Sequence, residues 1–124
     1  MKLTIRQAYL VMYHTLDKIY WEHPEDIFAG LLGGFNPYLF LNSMSADPAA
    51  WEDWCNVVAR MTTDKFLSSA DSLPATINFI QFHIDEFGFE LDWIVDILNE
   101  ISTDSPKWIE VVNVALKNER VLTD

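Results

Sequence analysis

Basic residues are scarce in this chain. Across 124 residues, 8 Lys and Arg stand against 19 Asp and Glu, for a formal charge of −11 and a pI near 4.4. An even field of that sign repels phosphate backbones and anionic lipid headgroups, so nucleic acid and membrane surfaces are poor partners. Cysteine is nearly absent: Cys55 stands alone and cannot close an intramolecular disulfide. The opening MKLTIRQAYLV places Arg6 and Gln7 where a signal peptide needs an unbroken apolar run, which points to a cytoplasmic protein. Long hydrophobic runs are missing too. The longest uncharged stretch, Ile27 to Ala46, is interrupted by Gly30, Gly33, Gly34, Asn36, Pro37 and Asn42, and does not read as a membrane span. There is no internal repeat and no low-complexity tract.

Motifs that announce a reaction are also missing. No G-x-S-x-G elbow occurs, and Cys55, between Trp54 and Asn56 on a helix, has no identifiable base and reads as a small core residue. Gly33 and Gly34 lack the Lys and Ser or Thr of a phosphate-cradling loop. The carboxylate pairs Glu25 and Asp26, Glu52 and Asp53, and Asp85 and Glu86 are adjacent, so on a helix they diverge and read as solvated faces. His14 with Asp17, and His83 with Glu86, share a helical spacing of three. The carboxylate-bridged di-iron pattern, however, requires a Glu three residues before each His, where this chain has Val11 and Ile80. The expectation is no metal, no cofactor and no catalysis.

What remains is globular. Half the residues are apolar, with 5 Trp, 4 Tyr and 8 Phe, far from the composition of disorder. A single domain, 1–124, of this size buries about two thirds of the surface its unfolded form exposes. Start and stop signals predict an all-α fold of about six helices joined by short loops. Thr4 and Gln7, at capping-box spacing, open a helix running to about Glu22; this helix and the fourth below are apolar beyond one stripe, as a central helix is, the alternative being a partner-binding patch. Pro24 opens a second, to Leu32, with Gly33 as a left-handed stop. Asp47 and Pro48 open a third, to about Met61, with Trp51, Trp54, Val58 and Met61 on one face. Ser72 caps a fourth, striped by Leu73, Ile77, Ile80, Ile84 and Phe87 and ended by Gly88. A fifth spans about Glu90 to Ile101. Ser105 and Pro106 start a sixth, which turns Trp108, Val111, Val112 and Ala115 inward and frays near Asn118. Only Tyr38 to Leu41 looks extended, too short to carry a sheet.

Two features bear on function. The Gly- and Pro-containing loop 31–45 is rich in large apolar groups, Phe35, Tyr38, Leu39, Phe40, Leu41 and Met44, which either fold over the core or face a partner; the turn chemistry of Asn36 and Pro37 favours a lid on the core. Between Phe66 and Pro106 there is no Lys or Arg, while Asp71, Asp85, Glu86, Glu90, Asp92, Asp96, Glu100 and Asp104 place −8 of the chain's −11 there. Asp92, Asp96 and Glu100 follow at intervals of four, stacking like charges at a cost of about a few tenths of a kcal/mol per pair. Trp93 falls on that side of the helix. An aromatic ring among carboxylates is the composition of a surface for a basic partner, and the candidate contact set is Phe82, Asp85, Glu86, Asp92, Trp93, Asp96 and Glu100. The alternative is an acidic protein whose charge serves solubility and whose Trp93 packs under the following helix.

A small, strongly acidic, all-helical chain with one Cys and an aromatic-bearing acidic helix resembles the immunity proteins with which bacteria neutralise basic toxin domains. The phrases GGFNPYLF, Gly33 to Phe40, and ADPAAWEDW, Ala46 to Trp54, also look like those of small bacterial proteins of this sort. The chain departs from four-helix colicin-type inhibitors in helix count and lacks their paired-tyrosine signature, so no functional residue is carried over. The resemblance implies function by tight binding of a basic protein partner, without cofactor or turnover; homo-oligomerisation stays open. Two other readings remain: an enzyme or ligand-binding domain with a pocket under the 31–45 loop, reached by His14, Asp17, His83 or Glu86, and an adaptor with no antagonistic role.

Overall fold

In the computed structural model, residues 1–39 and 44–123 are described, the last four by their backbone alone. The all-helical expectation is borne out, with six helices among the described residues: α1 (Ile5–Glu22), α2 (Asp26–Phe35), α3 (Pro48–Met61), α4 (Ser72–Phe87), α5 (Asp92–Asn99) and α6 (Pro106–Thr123). Two short strands, β1 (Lys2–Thr4) and β2 (Phe66–Ser68), were not expected. They pair antiparallel with Leu3 opposite Leu67, both buried, and the Ser69 amide extends the ladder to the Met1 carbonyl at 2.9 Å. Three residues are too few to show a period of two.

The capping box holds the start of α1 from both sides: Thr4 Oγ1 accepts from the Gln7 amide at 3.0 Å, and the Thr4 amide donates to Gln7 Oε1 at 2.8 Å. From Ala8 to Met12 five consecutive residues are buried, which a helix shows only when it is covered on most sides. Helices α2, α3, α4 and α6 and both strands all touch α1. Its Tyr9 hydroxyl donates to the Phe35 carbonyl at 2.6 Å, binding the end of α2 to the centre of the fold.

Helix α2 departs from the sequence reading at both ends. Its cap is Glu25, whose carboxylate accepts from the Ile27 and Phe28 amides at 2.9 and 2.8 Å, and Pro24 lies outside the helix. Gly33 does not stop it; the helix passes through Gly33 and Gly34 in right-handed conformation to Phe35. Among the described residues only Gly88, which ends α4 at φ 71°, is left-handed. Burial decides this, because Phe35 reaches the core only if the helix continues, and its ring then lies 5.0 Å from that of Phe79. The apolar loop therefore begins at Asn36 rather than 31. Tyr38 packs on the core and Leu39 is exposed, while Phe40 and Leu41, and with them the end of the extended segment, lie outside the described residues.

A Cβ added at Gly33 would meet no atom within 4 Å. Since glycine inside a helix costs about 0.5–1 kcal/mol relative to alanine, Gly33→Ala should stabilise by that amount, read as a higher urea midpoint with unchanged slope. An unchanged or lower midpoint would contradict the helical assignment there.

Helix α4 buries a different face from the stripe read off the sequence. Leu73 and Ile80 are inward as expected, but Thr76, Phe79 and His83 join them, while Phe87 is 58% exposed. Asp71, not Ser72, occupies its cap position. Helix α5 is shorter than expected and α6 longer. Ser105 does cap α6, its Oγ accepting from the Trp108 amide at 3.2 Å.

Candidate functional site

The carboxylates of the acidic segment stand in solvent. Asp85, Glu86, Asp92, Asp96 and Glu100 are all exposed. Only Asp85 has a side-chain bond, accepting from Gln81 Nε2 at 2.9 Å, and none of the five has an ion-pair partner among the described residues. Their placement opposes the helix dipole. Asp85 and Glu86 occupy the last turn of α4, Glu100 is the C-cap of α5 and Asp96 lies in its last turn, where the backbone carbonyls favour cations; neither helix has a basic residue there. Asp92, in the first turn of α5, is favourably placed.

The two aromatic members of the set are partly enclosed. Phe82 is half-buried beside Asp85 and Glu86 in a groove of about 220 Å³ between α3 and α4, which Arg60 also lines. Trp93 lies edge-on to Phe28 at 5.7 Å and to His23 at 6.2 Å, so its ring joins α5 to α2 and the end of α1 instead of standing free among the carboxylates.

A second feature, a cleft of about 250 Å³, opens at the base of the loop the sequence singled out. Gly30, Gly34 and Phe35 of α2 form one wall, Asp47 and Asp53 bring carboxylates from the start and body of α3, and His83, Phe87 and Phe89 close the far side. His83 is 4% exposed. Its Nδ1 donates to the Phe79 carbonyl at 2.8 Å, which leaves Nε2 for the cleft. Burial pushes the Asp53 carboxyl above the ordinary carboxylate range, and the neighbouring Glu52, Asp47 and Glu86 push the same way, against His83. Of the four residues expected to reach a pocket here, His83 alone lines it.

His14 is turned elsewhere, its Nε2 sharing a hydrogen bond of 2.6 Å with the Tyr38 hydroxyl. Burial raises the Tyr38 phenol to about 12. Cys55 is half-buried, its thiol raised by burial and then by Glu52, the reverse of activation. Among the described residues no three His, Cys, Asp or Glu side chains form a group able to hold a metal ion, and no helix is long and apolar enough to cross a membrane.

No family model, curated protein or solved structure matches the chain.

A buried and a half-buried histidine set a pH dependence. Burial lowers both His14 and His83 below the ordinary 6.5, against the pull of Asp17 on one and of the Phe79 carbonyl and Asp53 on the other. A depressed imidazole means the unfolded chain binds the proton more readily, so stability is full above about 6.5 and is lost as pH falls below it. Asp53 has the opposite sign: with its folded value raised, its contribution is full below about 3.8 and lost as pH rises past it, a lower window. The unfolding free energy is expected to be smaller at pH 5.5 than at 7.5, and the His83 ring signals to titrate below 6.5. A His83 midpoint above that value would overturn the sign.

Proposed function

We propose that the chain is a protein-binding inhibitor of the immunity type, which neutralises a basic protein domain by covering it with the acidic face built from α4 and α5. The observation that carries the reading is the misplacement of charge. Asp85, Glu86, Asp96 and Glu100 sit at helix C-terminal ends, exposed and without ion-pair partners among the described residues, where each makes the isolated fold less stable. A chain violates such local rules mainly where function requires it. Charge of this kind steers a basic partner into encounter and sets its orientation, while the half-buried ring of Phe82 offers an apolar edge beside Asp85 and Glu86.

The test is capture of the partner by the intact chain, followed by measurement of affinity for that partner across a salt series. A basic partner whose affinity falls with salt, and falls again at fixed low salt on Asp96→Lys, is the expected result. An acidic or neutral partner, or an affinity indifferent to Asp96→Lys, would overturn it. Inhibition of the partner's own activity at stoichiometric concentration separates an inhibitor from a passive adaptor.

A further inference from the structure

We propose that the cleft between α2, α3 and α4 is the seat of an arginine side chain from the basic partner, an anchor point beside the acidic face. The inference rests on the reading above and adds to it the group that is recognised and where.

Three independent features of the cleft converge on a guanidinium. The first is its hydrogen-bonding character. The polar side chains lining it are Asp47, Asp53 and His83. Carboxylates only accept, and an imidazole whose Nδ1 hydrogen is held by the Phe79 carbonyl presents, when neutral, a bare accepting Nε2. Side chains that accept without donating are matched by a group that donates without accepting, and a guanidinium carries five N–H donors and no acceptor. The second is the apolar surround. Phe87 stands 58% exposed at the edge, its ring packed 6.0 Å from that of Phe89 and 5.7 Å from that of His83, so a flat cation lying against this cluster meets aromatic surface as well as charge.

The third is unused space. Gly30 sits inside α2, where glycine weakens the helix, yet a Cβ built on it would meet no atom within 4 Å. The chain's own packing does not require a glycine at that position, and Gly30 is part of the cleft wall. Asp53 supports the same occupant, because its three carboxylate neighbours all oppose its charge and a bound cation would relieve them.

The experiment titrates the intact chain with N-acetyl-arginine methylamide, and in parallel with the uncharged isostere N-acetyl-citrulline methylamide, following amide and ring resonances by NMR. Saturable shifts centred on Gly30, Asp53, His83 and Phe89 with the arginine probe, and at least tenfold weaker binding of the citrulline probe, are expected. Asp53→Asn should weaken the arginine probe at least tenfold. Gly30→Leu, which fills the cleft without altering a charge, should abolish its binding, while Gly33→Ala, outside the cleft wall, should leave it unchanged. Equal binding of the two probes, no saturable shift at the cleft in the wild-type chain, or full binding by a folded Gly30→Leu variant would overturn the inference. Such a failure alongside a basic partner that still responds to salt and to Asp96→Lys sinks the arginine seat alone; a saturating arginine probe alongside a partner indifferent to Asp96→Lys sinks the proposed function alone.

Discussion

Trp54→Ala is expected to destabilise the domain by about 3–5 kcal/mol, the range for removing a large aromatic from a packed core. The indole is fully buried at the meeting of α1, α3 and α4, edge-on to Tyr9 at 5.9 Å and to Phe79 at 5.4 Å. Its Nε1 donates to the Ile5 carbonyl at 3.1 Å, so truncation both opens a cavity and leaves that acceptor without its donor. Against a total stability of about 5–15 kcal/mol for a domain, this is a large fraction. Trp54→Phe, which loses the hydrogen bond but keeps most of the apolar volume, should cost less than the alanine variant. Urea unfolding is the measurement, and a loss below about 1 kcal/mol for the alanine variant would mean that the indole is not at the centre of the core.

The double reversal Asp96→Lys and Glu100→Lys is expected to slow association with a captured basic partner by about tenfold or more at low salt, with the difference shrinking as salt rises. The free protein should become more stable, by about 0.5–1 kcal/mol in all, because the new cations meet the carbonyl end of α5 and position 96 now attracts Asp92, which outweighs the repulsion the two lysines exert on each other. Opposite signs in binding and stability are what mark carboxylates kept for a partner. Asp92→Lys is the internal control, since Asp92 lies at the amide end of the helix and its reversal should cost stability. Trp93→Ala will not behave as a surface change. With its ring half-buried against Phe28, it should cost about 1–3 kcal/mol in addition to any effect on the partner.

Where the sequence could be read, the signal was local. The capping box of α1, the Asp47–Pro48 start of α3, Gly88 and the Trp54–Val58 face are each set by a few neighbouring residues, and the structure has them as expected. The errors came from tertiary effects. Gly33 looked like a stop because its conformational freedom is visible in sequence, whereas the burial of Phe35 that carries α2 past it is not. The inward face of α4 differs from the sequence stripe because Thr76 and His83 count as polar. Each bonds the carbonyl four residues back in its own helix, Ser72 and Phe79, and so enters the core with that group satisfied. The cleft is legible only in part: the loop above it and His83 stand out in the sequence, but Asp47 shows there only as the helix cap it also is and Asp53 as part of a solvated face, and only the packing of three helices brings them to His83.

The covering of α1 carries a consequence for synthesis on the ribosome. Helix α1 is synthesised before the elements that cover it, and those partners lie far downstream: Leu3 waits for Leu67, and the buried run from Ala8 to Met12 belongs to a helix that packs on α6. Contacts so distant in sequence form late. Until then an apolar helix is attached to a growing chain whose excess of carboxylates, strongest between Asp71 and Asp104, keeps neighbouring nascent chains apart by repulsion. A chain cut before Trp108 is therefore expected to stay dispersed by its acidity but to be captured by chaperones, since the cover that α6 gives α1 is missing.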